Sequence, residues 1–293
     1  MCSVTGPFGI NEGGVVVASG LDEGPIVWDT VSGDVVPLGP GSAGDINESG
    51  QVVGDMPAEA GQADPSRPRR GFVWDRAGGL RVPLRPLGDD VSSFASGIND
   101  AGQVAGTSVS ASGRARAVLW PPATILAPVV VTASADTYVN ELAAKTNYGT
   151  TKSLATRGYP STRYESYLRF RLPQAPSGST LVEATLRFRT TGEEFAGSTA
   201  AQNVKLVTGS WSETGTTFKN RPALGARLGG IDSASKRGKP YSVALDMAPV
   251  QARLGGTIDL ALTAAQVPDA LWLNSRETTN PDHRPQLTLT FAR

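Results

Sequence analysis

Ser166-Tyr167-Leu168-Arg169-Phe170-Arg171-Leu172 and Val182-Glu183-Ala184-Thr185-Leu186-Arg187-Phe188-Arg189 decide the fold of the larger half of this chain. In the first run Ser166, Leu168, Phe170 and Leu172 fall on one face, with Tyr167, Arg169 and Arg171 on the other. In the second, Val182, Ala184, Leu186 and Phe188 oppose Glu183, Thr185, Arg187 and Arg189. A period of two over this length is the mark of a half-buried strand. Ile258-Asp259-Leu260-Ala261-Leu262 and Leu287-Thr288-Leu289-Thr290-Phe291 continue the pattern, and no segment carries a long helical period. Residues 128–293 are therefore expected to form an antiparallel β-sandwich of the jelly-roll kind.

Upstream the pattern changes. Trp28, Trp74 and Trp120 are 46 residues apart, twice over, and each closes a short apolar run: Pro25-Ile26-Val27-Trp28, Gly71-Phe72-Val73-Trp74 and Ala117-Val118-Leu119-Trp120. Before each stands an Ile-Asn phrase: Gly9-Ile10-Asn11-Glu12, Asp45-Ile46-Asn47-Glu48 and Gly97-Ile98-Asn99-Asp100. Two copies run on as Gly50-Gln51-Val52-Val53-Gly54 and Gly102-Gln103-Val104-Ala105-Gly106. A fixed period with turn residues between short strands predicts a repeat array, each unit matching one propeller blade in size. Three units fall short of the usual ring of about four to eight. The array over residues 1–120 is thus expected to be incomplete and propeller-like, open or completed by another chain or by missing repeats. The polar, Pro-rich stretch Pro57–Arg70 reads as a surface loop, and 121–127, with Pro121-Pro122, as a short stiff linker.

The 293 residues suffice for two domains with real cores, and 34 Gly and 21 Pro fit a turn-rich, all-β chain. No stretch approaches the roughly 20 consecutive apolar residues of a membrane span. Residues 1–127 hold 8 Lys and Arg against 14 Asp and Glu, a balance of −6; residues 128–293 hold 19 against 13, a balance of +6. A basic second half suggests an anionic partner or attraction between the two domains. Cys2 is the single cysteine, so no disulfide staples the fold and no cysteine metal site forms. No signal peptide is visible, and the first copy lacks the lead-in of the later ones, which points to a longer parent protein or a different start.

The repeats resemble the extracellular HAF family, whose units carry Ile-Asn-x-x-Gly-Gln-Val-x-Gly followed by an apolar pair and Trp. That resemblance implies secretion and a propeller-like array, and no chemistry. The second half resembles the DNRLRE-type domain, carbohydrate-binding module family 96. The phrases are Ala135-Asp136-Thr137-Tyr138-Val139 with Asn147-Tyr148-Gly149-Thr150, and Tyr164-Glu165-Ser166-Tyr167-Leu168-Arg169-Phe170. Trp211-Ser212-Glu213 with Thr216–Pro222, and Ser275-Arg276-Glu277 before Arg284-Pro285-Gln286-Leu287, complete the match in order. The chain departs at Phe218, where the family usually has Trp, and at Arg171, where an acidic residue is common. The resemblance implies a β-sandwich that binds polysaccharide, with alginate-like polyuronates as the known class.

If the strands of Arg169 and Arg171 and of Arg187 and Arg189 pair as a hairpin across Pro173–Thr180, four guanidinium groups share one surface. Like charges facing across strands destabilise, and an anionic chain would relieve them, since Arg forks onto carboxylates. Tyr167, on the same face, would supply a stacking ring. The plainer reading is a solvated face balanced by Glu165, Glu183, Glu193 and Glu194. The repeated Trp, Trp211 and the Ser275-Arg276-Glu277 phrase read as structural. No cofactor is required; a structural calcium ion would draw on Asp136 and the backbone around Tyr138, with Asp259 or Asp282 as partners, but calcium wants six to eight oxygens and the carboxylates are scattered.

No catalytic constellation emerges. His283, the single histidine, lies in the polar turn Asn280–Pro285; there is no Gly-x-Ser-x-Gly elbow, no His-Glu-x-x-His pair and no phosphate-cradling Gly loop. The expectation is a secreted, non-enzymatic protein whose partner is an acidic polysaccharide and not a nucleic acid. The alternatives are an extracellular structural or adhesion protein and, behind it, a polysaccharide lyase.

Overall fold

The structure is a computed structural model that describes residues 4–20, 24–58, 67–76 and 79–293. It is all-β, and its chain separates into two compact units: residues 1–125 with 292–293, and residues 126–291. Among the described residues no helix is long and apolar enough to cross a membrane.

The first unit carries the repeats. β1 (Val4–Ile10), β2 (Val15–Gly20), β3 (Gly24–Asp29) and β4 (Val35–Pro37) form one antiparallel sheet in sequence order. β5 (Ser42–Ile46), β6 (Gln51–Pro57), β7 (Arg69–Asp75) and β8 (Arg81–Leu84) repeat it. β9 (Ser92–Ile98), β10 (Val104–Val109) and β11 (Ala115–Trp120) make a third sheet of three strands. The recurring phrase follows from its geometry. Gly50 and Gly102 turn the chain at φ +77° and +78°, where a side chain would be strained. A Cβ on Gly54 or Gly106 would run into the carbonyl oxygens of Ser42 and Phe94 on the neighbouring strand. The apolar faces stack: Val15, Val17, Val27 and Leu38 of the first sheet pack on Ile46, Val52, Phe72 and Trp74 of the second. Val53, Val73 and Leu84 on the reverse of the second sheet pack with Val104 and Trp120 of the third. Trp74 and Trp120 are thus core residues, as read, whereas Trp28 is exposed and lies outside both clusters, against that reading. The structure shows no closed propeller. The expected loop Pro57–Arg70 keeps strand at both ends, and its middle, 59–66, lies outside the described residues.

The second unit is a sandwich. β12 (Val129–Thr132), β13 (Ala135–Asn140), β14 (Ser153–Thr156), β15 (Tyr164–Arg171), β16 (Thr180–Arg189), β17 (Gln202–Val207), β18 (Leu224–Ile231), β19 (Pro240–Ala244), β20 (Thr257–Ala264), β21 (Leu271–Asn274) and β22 (Gln286–Ala292) follow in order. One sheet runs β12-β22-β16-β19 and the other β13-β15-β20-β17-β18, with β14 and β21 paired beside them. Leu186, Phe188, Leu287, Leu289 and Phe291 from the first meet Leu168, Phe170, Ile258, Leu260 and Leu262 from the second in one core. Each such side chain, buried in full, contributes about 1.5–3 kcal/mol. The inward sets expected on both strands are the buried ones.

Two expectations are corrected. β15 and β16 do not form a hairpin: they belong to opposite sheets, and Pro173–Ser179 crosses between them. The period of two records which face is buried, not which strand is the neighbour. The outer face of β15 is also not solvated along its length, because Trp211 and Phe218 lie over it and close a second small core with Val139, Tyr167, Val207 and Ala261. In the segment read as a stiff linker, Thr124 exchanges backbone hydrogen bonds with Arg293, both at 2.9 Å.

Candidate functional site

The sandwich scatters the residues expected to form one cationic face. Tyr167 is fully buried, and its hydroxyl donates to Glu165 Oε2 at 2.6 Å, so it offers no ring to a ligand. Arg169 lies opposite Asp259 on β20 and forks onto it at 2.7 and 3.0 Å. Its guanidinium also sits 4.8 Å from the Trp211 ring centre. Arg171 is exposed at the end of β15, across from Thr257. Arg187 and Arg189 stand on the other sheet, beside Ser242 and Pro240, and Arg189 donates to the Gly238 carbonyl at 2.7 Å. The four guanidinium groups therefore do not share a surface, because their strands belong to different sheets.

Asp136 does meet other carboxylates, though not those expected. Asp136, Glu213 and Glu277 bring ligand oxygens within 4.8 Å of one another. Asp259 is committed to Arg169, Asp282 lies in an exposed turn, and Tyr138 is held in the β13–β15 ladder with its ring stacked on Tyr148 at 4.2 Å. Arg276 occupies the middle of the acidic group. Its backbone N–H donates to Asp136 Oδ2 at 2.7 Å, its Nη1 donates to both Glu213 oxygens at 2.9 and 3.1 Å, and its Nε lies 3.3 Å from Glu277. Burial first, and then the charges of Glu277 and Glu213, push the Asp136 carboxyl up to about 8, against the opposing Arg276 N–H. Glu277 Oε2 is buried and meets no donor among the described groups; a proton on Asp136 supplies one. With Asp136 and Glu213 both engaged by Arg276, the three carboxylates offer fewer than the six to eight oxygens that calcium seeks. These residues lock β13, the Trp211 loop and the segment after β21 together, which gives the Trp211-Ser212-Glu213 and Ser275-Arg276-Glu277 phrases their structural role.

A different place has the chemistry of a binding site. Beside β21 lies a cleft of about 680 Å³ lined by Arg157, Glu194, Phe195, Lys236, Arg237, Asp269 and Trp272. Its walls are pinned by backbone pairing: Thr191 N–H donates to the Trp272 carbonyl, Trp272 N–H to Ala196, and Ser198 and Ser235 exchange bonds. The Thr190 hydroxyl holds the Lys236 and Lys239 carbonyls. Trp272 is half-buried against Tyr138 and Tyr164, each 5.9 Å away between ring centres. Phe195, on the opposite loop, is 79% exposed, so its ring is open to a ligand. Arg157 lies 5.5 Å from the Tyr164 ring, and its Nε is buried without a partner among the described groups. Lys236 and Arg237 are exposed. Burial would raise Asp269, but the Thr199 N–H, the Ser198 and Thr199 hydroxyls and the Arg157 charge outweigh it and hold the carboxyl below its usual value. The cleft thus offers aromatic faces, three cations and an ionised acceptor, a set suited to the apolar faces, acidic groups and hydroxyls of a sugar chain.

The sequence reading missed this cleft. Its residues are spread from Arg157 to Trp272, and none falls in a recognisable motif. The available signal was the bare Phe195 after Glu193-Glu194 in a polar loop.

Residues 127–291, more than half of the chain, match the family described as carbohydrate-binding module family 96. A comparison with curated proteins finds none that matches. Among solved structures, one described as "Structural basis for the promiscuous specificity of the carbohydrate-binding modules from the beta-sandwich super family" aligns with 100% of this chain and 89% of its own, at 8% identity and a TM-score of 0.14. A likeness that low carries no argument about this fold. The HAF resemblance of residues 1–120 gains no support from these comparisons.

Proposed function

Because this chain belongs to carbohydrate-binding module family 96, we propose that it binds a polysaccharide in the cleft between Trp272 and Phe195, without transforming it. The observation that carries this reading is the grouping of two aromatic rings with Arg157, Lys236 and Arg237 around one cleft. Three cations against the two carboxylates of Glu194 and Asp269 favour an acidic chain, a polyuronate in the first instance. The interleaving of β12-β22-β16-β19 with β15-β20-β17-β18 supports the jelly-roll reading of the sandwich. Binding of such a polymer outside the cell, by a secreted protein, fits that role.

The test is calorimetric titration of the whole chain with polyuronate and neutral glucan oligomers at several salt concentrations. The polyuronate is expected to bind more tightly, with an affinity that falls as salt screens the exposed cations. Equal affinity for both polymers would remove the acidic preference and leave carbohydrate binding. No binding to any polymer would favour a purely structural or adhesive role for the sandwich.

A further inference from the structure

The repeats calibrate one another. At the Trp position Trp74 is 4% and Trp120 8% exposed, but Trp28 is 43% exposed. At the Ile-Asn phrase Ile46 is 6% exposed and Ile10 66%. On the reverse faces Val27 and Val73 are each 2% exposed, whereas the equivalent Leu119 is 66%. Ala105 and Ala117 beside it are exposed too. What covers these positions inside the array is known. The Trp side of one sheet packs on the Val side of the sheet before it, as Trp74 packs with Val15, Val17 and Val27. The chain therefore presents one open Trp side at β1–β3 and one open reverse side at β10–β11, the two halves of the contact it already makes twice. On that open Trp side Ile26 and its cross-strand partner Ala18 stay covered.

The polar edge has the same direction. Asn11 donates from its amide to the Asn47 carbonyl at 3.2 Å, and Asn47 to the Asn99 carbonyl at 3.0 Å. The Glu12 N–H donates to the Glu48 carboxylate at 3.0 Å, and the Glu48 N–H to Asp100 Oδ1 at 3.0 Å. Each copy donates to the next. Among the described residues the Asn99 amide donates within its own copy, to Gln103 Oε1 at 2.9 Å, and the Asp100 N–H, the Asn11 carbonyl and the Glu12 carboxylate make no bond to another copy.

We propose that two copies of this chain associate head to tail, the open Trp28 side of each receiving the open Leu119 side of the other. In that arrangement the Asn99 amide and Asp100 N–H of one copy donate to the Asn11 carbonyl and Glu12 carboxylate of its partner. Two arrays of three sheets bring six together, inside the usual range of about four to eight for a propeller, where three copies would exceed it. A contact between unlike faces closes on itself at two copies only if the rotation permits, and otherwise yields filaments.

Sedimentation of the whole chain over a concentration series tests this. The wild type is expected to be dimeric at ~100 µM, a range in which even modest interfaces associate. Trp28→Glu and Leu119→Glu replace exposed side chains, so both should keep the circular dichroism of the wild type. Each should weaken association at least about 30-fold, as loss of an interface anchor does. An equimolar mixture of the two variants keeps one unaltered contact and should associate more tightly than either alone. A wild type that stays monomeric overturns the proposal, whatever then covers Trp28. So does a dimer indifferent to both substitutions, and a mixture no better than its components points to a like-to-like contact and overturns the head-to-tail arrangement.

Discussion

The two units solve the burial of strand faces in different ways. In the sandwich, two sheets face each other and their inner sides meet in one large core that includes Phe170, Leu186 and Phe291 at full burial. In the array each sheet buries its sides only against its neighbours, in two small clusters, and the terminal sides stay bare at Trp28 and Leu119. The sandwich is therefore complete in itself, whereas the array is a stack with ends. In stacks of this kind stability is close to a sum of unit and neighbour terms, and the end units are the weakest.

Stability measurements sharpen that contrast most. Phe170→Ala, in the sandwich core, should cost about 3–5 kcal/mol, the range for a buried aromatic. Trp28→Ala, at the bare end of the array, should cost less than about 1 kcal/mol in the monomer. Chemical denaturation of both variants gives the comparison, and similar losses would mean that Trp28 is covered in solution.

The next effect belongs to Asp136. Its folded carboxyl titrates near 8 because it is buried beside Glu277 and Glu213, and its unfolded value is the ordinary 3.8. Between those values the folded state holds a proton that the unfolded chain releases. Stability is then greatest below about pH 4 for this group and is lost as pH rises through about 8, with a slope of up to about 1.4 kcal/mol per pH unit. Unfolding free energies from pH 5 to 9 should fall accordingly, and Asp136→Asn should flatten the slope. A wild type that gains stability over this range would show that the carboxyl is ionised when folded.

Smaller effects test the same packing. Tyr167→Phe removes the hydroxyl that Glu165 accepts and should cost about 1 kcal/mol, a normal hydrogen bond, without altering polysaccharide binding. Millimolar calcium should leave the melting temperature unchanged, because Arg276 fills the acidic group. A rise that is lost in Glu213→Gln would contradict that reading.

How far the sequence disclosed these features depends on which physical rule was at work. Alternation placed Leu168, Phe170, Leu186 and Phe188 inward, because burial on one side of a strand repeats every second residue. The 46-residue period marked the array, because each unit must cover the next. Neither rule names a strand's neighbour, so Arg169 and Arg187 read as adjacent although a crossover separates them. Nor does alternation reveal a second layer, so Tyr167 read as exposed until Trp211 and Phe218 were seen above it. The cleft was least legible of all, since Arg157, Phe195, Arg237 and Trp272 meet only through tertiary folding of loops without a shared motif.

The most direct test of the account asks which basic residues a polyuronate oligomer meets. Affinity should be measured by calorimetry for Phe195→Ala with Arg237→Ala, in the cleft, and for Arg171→Ala with Arg187→Ala, on the sandwich's outer faces. All four side chains are solvent-accessible, so neither pair should disturb the fold. The cleft pair is expected to lose more than about tenfold in affinity, the equivalent of one charged hydrogen bond, and the outer pair to bind as the wild type does. An unchanged cleft pair beside a weakened outer pair would contradict the cleft as the binding site.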